Sequence, residues 1–161
     1  MIDRLAFQNL LVALAGVAVV LCLFLPLVPA ILVILTVAMV DLNVVGLMYW
    51  WNVPINVLSL INLVMVVGFA VDYSAHVTEA YCKEEGTEAE RVQQAMEKVG
   101  MSVFHGGIST FLAVSILAFT TARAFQILFK MFWGLVVFGL LHGLLFLPVA
   151  LSLIPPGLGV L

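Results

Sequence analysis

Charge is what this sequence has least of. Only 6 of its 161 residues are Lys or Arg and 9 are Asp or Glu, while 65% are hydrophobic, against about 45 to 50% in an ordinary soluble domain. Eight of the charged residues fall within residues 83–98, leaving seven for the other 145 positions. A soluble globular surface cannot be built from so few. The net charge is −3 and no run of Lys or Arg exists to neutralise phosphates, which excludes a nucleic-acid partner. Cysteine is scarce as well: Cys22 lies inside an apolar run and Cys82 at the edge of one. No disulfide framework is implied, and Cys82 reads as an ordinary interfacial thiol in preference to an acylation site. Zinc signatures of the His-Glu-x-x-His kind are absent. No metal and no cofactor are expected.

What is abundant is uncharged apolar length. A hydrocarbon core about 30 Å thick takes about 20 helical residues to cross, and residues 5–40, 42–71, 99–122 and 131–161 are all free of charge. The first of these is too long for one span, and Pro26 and Pro29 interrupt it where a short hairpin fits. The reading is an all-α polytopic membrane bundle of five transmembrane helices at about 9–25, 30–50, 55–81, 101–121 and 125–154, joined by a connector over 82–100. Tyr49, Trp50 and Trp51 cluster before Asn52 and Pro54, as rings at a membrane interface do, and Phe125, Phe129, Phe132 and Trp133 around Lys130 read similarly. No cleaved signal peptide is visible. The chain begins at the mouth of its first helix, which suggests a piece of something larger.

The connector carries its own pattern. Thr87 followed by Glu90 fits a capping box, Ala89, Val92, Met96 and Val99 recur at helical spacing, and Gly100 is placed to end the helix. A short amphipathic helix on the membrane surface is expected. Orientation does not follow from charge, because Arg4, Arg123 and Lys130 lie on one side and Lys83, Arg91 and Lys98 on the other.

Two acids lie deep in the apolar runs. Asp72 sits inside the third span, where an acidic side chain costs roughly 2.5 to 3.5 kcal/mol. Gly68, Asp72, His76, Glu79 and Lys83 recur at intervals of three and four, one stripe of one helix. An acid, an imidazole and a second acid in line is the layout of a proton or cation relay, because a carboxyl in low dielectric and an imidazole both titrate near neutrality. Gly68 would admit a neighbouring helix closely. The alternative is that Asp72 and His76 only fix helix packing. Asp41, in the second span beside Asn43, is either a packing anchor or a second ion ligand. His105 and His142 are each alone at helical spacing and read as hydrogen-bonded structural histidines. Ser109, Thr110, Ser115 and Thr120 are placed to face the relay from the fourth span. Asp72 and His76 are therefore the ion-coupling candidates, with Gly68, Tyr73, Glu79, Thr110 and Asp41 as candidates for a secondary relay or packing role.

Catalysis has little support. Asp41 and Asp72 on consecutive spans raise an intramembrane aspartyl protease, but the Gly-x-Gly-Asp signature requires glycines one and three residues before the acid, where Val71 and Phe69 stand. Residues 100–104, GMSVF, lack the second glycine of a nucleophile elbow. The chain is not expected to be an enzyme.

Residues 62–76, NLVMVVGFAVDYSAH, resemble the tenth transmembrane helix of the Patched and Niemann-Pick type C proteins, members of the resistance-nodulation-division permeases. Residues 142–152, HGLLFLPVALS, are similar to the close of that family's last helix, and GMSVF to the entry of its eleventh. The resemblance implies that residues 1–161 are a single transmembrane domain, the counterpart of the last five spans of a twelve-span permease that moves sterols or other lipophilic molecules on a proton or sodium gradient. It also implies that Asp72 occupies the family's acidic position and His76 the histidine after it. The amino terminus would lie outside or in the lumen, with residues 83–98 and the carboxyl end in the cytosol. The implied partners are membrane lipid or sterol and the missing amino-terminal half or a partner chain. The rival reading is a non-transporting scaffold or sterol-responsive regulatory module.

Overall fold

A computed structural model describes residues 2–155. Its helices are α1 (Ile2–Phe24), α2 (Leu27–Trp50), α3 (Val57–Lys83), α4 (Glu88–Ala95), α5 (Met101–Ser115), α6 (Arg123–Leu141) and α7 (Leu147–Ser152). Among the described residues no strand occurs, and the molecule is an all-α membrane bundle. Four continuous helices are long and apolar enough to span a membrane, Leu27–Trp50, Val57–Lys83, Glu88–Phe119 and Arg123–Ser152, with the shorter apolar Gln8–Phe24 as the fifth.

The breaks follow local chemistry. Pro26 alone divides the first apolar run, standing at the N-cap of α2. Pro29 lies inside the first turn of α2, where its missing N–H removes no helical bond, so the second span starts earlier than expected. Asn56 begins α3 through reciprocal bonds with Ser59, 3.0 Å from the Ser59 N–H to the Asn56 side chain and 2.8 Å from the Asn56 N–H to the Ser59 hydroxyl. Thr87 and Glu90 form the expected capping box. Gly86, at φ 121°, makes the turn before it in a conformation open to glycine.

Gly100 does not end a helix. Its φ and ψ are −56° and −46°, and the chain runs through a π-turn at Met96–Gly100 directly into α5. Glycine stops a helix by going left-handed; here it stays helical and packs against Met96. Connector and fourth span are one rod, Glu88–Phe119, about 48 Å long at 1.5 Å per residue. That exceeds a hydrocarbon core; α4 is the short connector helix expected, and it runs into the fourth span without a break.

The core lies between α2, α3 and α6. Val33, Val37 and Val40 of α2, Val66, Val67 and Val77 of α3, and Met131 and Leu135 of α6 are all within 1% of complete burial. Phe132, expected at the interface, is also inside, edge-on to Phe69. Tyr49 and Trp50 stay exposed, as interfacial rings do, while Trp51 packs against Trp133. The α5 helix is peripheral, with only Val103 and Gly107 buried.

Arg91 fixes α4 to the end of α3. Its side chain is 3% exposed, and it donates to the carbonyls of Glu84 (2.8 Å) and Tyr81 (3.0 Å) and to the Glu88 carboxylate (3.1 Å). The guanidinium lies 4.3 Å from the centre of the Tyr81 ring, whose hydroxyl donates to Glu88. Carbonyls left open at the end of α3 are thereby satisfied by a cation.

Candidate functional site

The valines of α3 turn one face of that helix into the core, and the opposite face carries the polar stripe. Gly68, Asp72, His76, Glu79 and Lys83 are all exposed from the bundle. Asp72, Tyr73 and His76 form one wall of a 360 Å³ cleft between α3 and the rod, facing Val99, Ser102, Val103 and Gly106. Acid and imidazole thus line the same cleft one turn apart, with Ser102 on the facing wall.

The other stripe residues differ from expectation. A side chain at Gly68 would meet nothing within 4 Å, so no helix approaches there; the neighbouring helices pack on the valine face. Glu79 pairs with Lys83 at 2.6 Å at the end of α3. On the rod, Ser109 is exposed, Ser115 donates to the Phe111 carbonyl of its own helix (2.6 Å), and Thr120 lies past the helix end. Only Thr110 approaches the α3 side, lying beside the Tyr73 hydroxyl while donating to the Gly106 carbonyl at 3.0 Å. The sequence placed polar residues on the rod without fixing its rotational phase.

Tyr73 turns inward, beside the stripe. It is 7% exposed, and its ring crosses α6 at Gly139, where an added Cβ would come within 2.7 Å of the ring. Gly139 is the small residue that permits close helix approach, a role expected of Gly68. The Tyr73 hydroxyl is buried without a hydrogen-bond partner.

Asp41 is the opposite of Asp72. It is 1% exposed on the inner face of α2, and neither carboxylate oxygen has a hydrogen-bond partner. The Nδ2 of Asn62, buried at 1% on α3, is likewise unpartnered. A carboxamide inside an apolar span is the signal in the sequence that marks this second buried polar group. His142 is buried and its Nδ1 donates to the Phe138 carbonyl at 2.8 Å, the structural arrangement expected. His105 is exposed on α5 and differs in that respect.

The sequence profile of the family described as "Protein export membrane protein SecD/SecF, C-terminal" matches residues 1–151. The chain is 39% identical over 126 residues to the NPC intracellular cholesterol transporter 1 of Sus scrofa, covering 76% of this chain and 10% of that protein. It is 36% identical over 127 residues to the NPC intracellular cholesterol transporter 1 homolog 1b of Drosophila melanogaster, covering 78% and 10%. With a Niemann-Pick type C1-related protein of Toxoplasma gondii the identity is 33% over 150 residues, covering 92% and 13%. The chain therefore spans about a tenth of the length of these relatives. A multi-helix membrane architecture, a polar stripe on α3 and this pattern of relatives agree: the chain belongs to the SecD/SecF C-terminal family of resistance-nodulation-division permeases, as a Patched- and Niemann-Pick C-like region.

Proposed function

We propose that this chain is the carboxy-terminal transmembrane part of a proton- or sodium-coupled transporter of sterols or other lipophilic molecules, with Asp72 and His76 as its coupling-ion residues. The observation that carries this reading is an acid and an imidazole one turn apart on the wall of one open cleft between α3 and the rod. The relatives named as cholesterol transporters supply the cargo class. A charged acid at this depth costs roughly 2.5 to 3.5 kcal/mol, and binding a proton or sodium ion removes that cost. Charge at Asp72 therefore favours an arrangement in which the cleft is hydrated or faces polar groups, and neutralisation favours a closed one. His76 accepts or donates the proton on the way to the connector. Glu79 and Thr110 serve as accessory polar groups, Tyr73 and Gly68 shape the helix faces, and Asp41 is a packing anchor or a second ion ligand.

The stripe is exposed in the five-helix bundle, and a second transmembrane half bearing polar groups is the partner that fits it. In this reading the amino terminus is outside or luminal, and the connector and carboxyl end are cytosolic. The chain has no catalytic role. A scaffold reading requires Asp72 to be locked by partners within the bundle; Ser102 of the rod across the cleft from Asp72 and His76 supports the transporter, whereas exposure of the stripe by itself supports neither reading. The test is Asp72→Asn in the complete protein, reconstituted with an ion gradient and assayed for movement of labelled sterol. Gradient-driven movement should be lost. Undiminished movement rejects the reading.

A further inference from the structure

The rod is not α-helical throughout. A π-turn at Met96–Gly100 leads into α5, and a 3₁₀ turn at Ile116–Phe119 leads out of it. A π-turn closes on a bond five residues back and spends about one extra residue, which sets the helix beyond it back by about 100°, one residue's step. A 3₁₀ turn advances about 120° per residue against about 100° in an α-helix, so the four residues Ile116–Phe119 recover about 80°. The two nearly cancel. Only α5, between them, is out of phase with the segments at both ends of the rod, and α5 is also loosely held, with Val103 and Gly107 alone buried. The π-turn of the last span, His142–Phe146, has no such counterpart and runs directly into α7.

We infer that α5 turns about its own axis by one residue, through exchange of both irregular turns for α-helix, and that this carries His105 into the cleft opposite Asp72 and His76. Once the extra residue of the π-turn is absorbed, every position of α5 takes the direction now held by the next. His105, exposed in the arrangement described, takes that of Gly106, which lines the cleft. Ser109 takes that of Thr110, beside the buried and unpartnered Tyr73 hydroxyl. The packing admits the turn, because each inward residue gives way to one no larger: Val103 to Ser102, Gly107 to Gly106, Thr110 to Ser109 and Val114 to Ala113. The paired glycines show it most directly. An added Cβ at Gly107 would come within 2.7 Å of Leu140 on α6, whereas one at Gly106 would meet nothing within 4 Å, so Gly106 has a packing reason to be glycine only when it stands in the place of Gly107. The motion leaves the Arg91 anchor and the far end of the rod where they are. It rests on the reading above for its purpose, since it supplies the polar face that a charged Asp72 favours, and on the two turns and the glycine pair for its geometry.

The test is the rate at which a short bifunctional thiol reagent joins His76→Cys to His105→Cys in the full chain, held in phosphatidylcholine nanodiscs with Cys22 and Cys82 replaced by Ala. Joining is expected, since His105→Cys reaches the cleft whenever α5 turns. Gly107→Leu cannot keep its place against Leu140 and should speed joining by about tenfold; Gly106→Leu has open space in the arrangement described but none in the place of Gly107, and should slow it by about tenfold. Because the Gly106→Leu side chain meets open space, its comparison with the parent stands even where Gly107→Leu misfolds. Ser102 lines the cleft before the turn and, in the place of Val103, after it. Joining of His76→Cys to Ser102→Cys should therefore hardly change, and it controls for a leucine that merely blocks the reagent. No joining of the 76–105 pair, equal rates in the parent and Gly106→Leu, or an equal change in the 76–102 pair overturns the inference. Joining uses no ion gradient, so these failures leave the Asp72 reading standing, and undiminished transport by Asp72→Asn leaves the turn of α5 standing.

Discussion

Asp41 and Asp72 are the two acids deep in the apolar spans, and the bundle treats them in opposite ways. Asp41 points into the α2–α3–α6 core with both oxygens unpartnered, while Asp72 points out, into a cleft it shares with His76 and Ser102. The sequence presents them almost alike. What separates them is which side of each helix the valines claim: on α2 the acid shares the buried face with Val37, Val40 and Val44, and on α3 it stands opposite Val66, Val67 and Val77. An intramembrane acid is thus a question about helix phase before it is a question about chemistry.

Transport should separate the two acids most strongly. If Asp72 supplies the coupling, removing its titration forfeits up to roughly 2.5 to 3.5 kcal/mol of bias, about a hundredfold in gradient-driven rate. Reconstituted Asp72→Asn protein measures this, and an equal loss in Asp41→Asn would break the comparison by drawing Asp41 into the relay. Stability should separate them in the other sense. Replacing Asp41 by Leu removes an unpartnered buried polar group and should raise stability by about 1 to 3 kcal/mol, whereas Asp72→Leu should stay within about 0.5 kcal/mol. Denaturant titration of the solubilised protein reads both. The glycines repeat the contrast at smaller scale. Gly139→Ala drives a methyl against Tyr73 and should cost about 1 to 2 kcal/mol, while Gly68→Ala meets open space and should gain about 0.5 to 1 kcal/mol of helix propensity.

The smallest expected effect lies outside the membrane. Hydrogen bonds from the Thr87 N–H and hydroxyl hold the Glu90 carboxyl below the usual carboxylate range. The group therefore adds stability above the ordinary glutamate value of about 4.3 and loses it as pH falls through its own lowered value. Amide exchange in α4 should quicken in acid, and Glu90→Gln should remove most of that dependence.

Much of the fold was legible because it rests on local rules. Pro26, the connector at Asn52 and Pro54 and the Thr87 to Glu90 box mark helix ends through chemistry contained within a few residues. Gly100 misled because a glycine stops a helix only when its backbone turns left-handed, and neighbouring residues do not reveal that. The stripe was legible as a period, and its members do share one face. Whether that face lies inside or outside, which of Ser109, Thr110, Ser115 and Thr120 points toward α3, and that Gly139 and not Gly68 admits a neighbour all depend on helix rotation in the bundle. Periodicity within one helix cannot supply that rotation. The anchoring role of Arg91 was hidden for the same reason: its partners, the carbonyls of Tyr81 and Glu84, lie at the end of the helix before it.

The continuity of the connector with the fourth span makes the cleft a matter of leverage. Arg91 fastens one end of the rod to α3, and Gly106 stands fifteen residues further on, about 22 Å away at 1.5 Å per residue. The far end is seated as well: a Cβ added at Gly107 would come within 2.7 Å of the Leu140 side chain on α6. The wall facing Asp72 is thus a beam supported at both ends, and widening the gap requires the rod to part from α6 as well as to turn about Arg91.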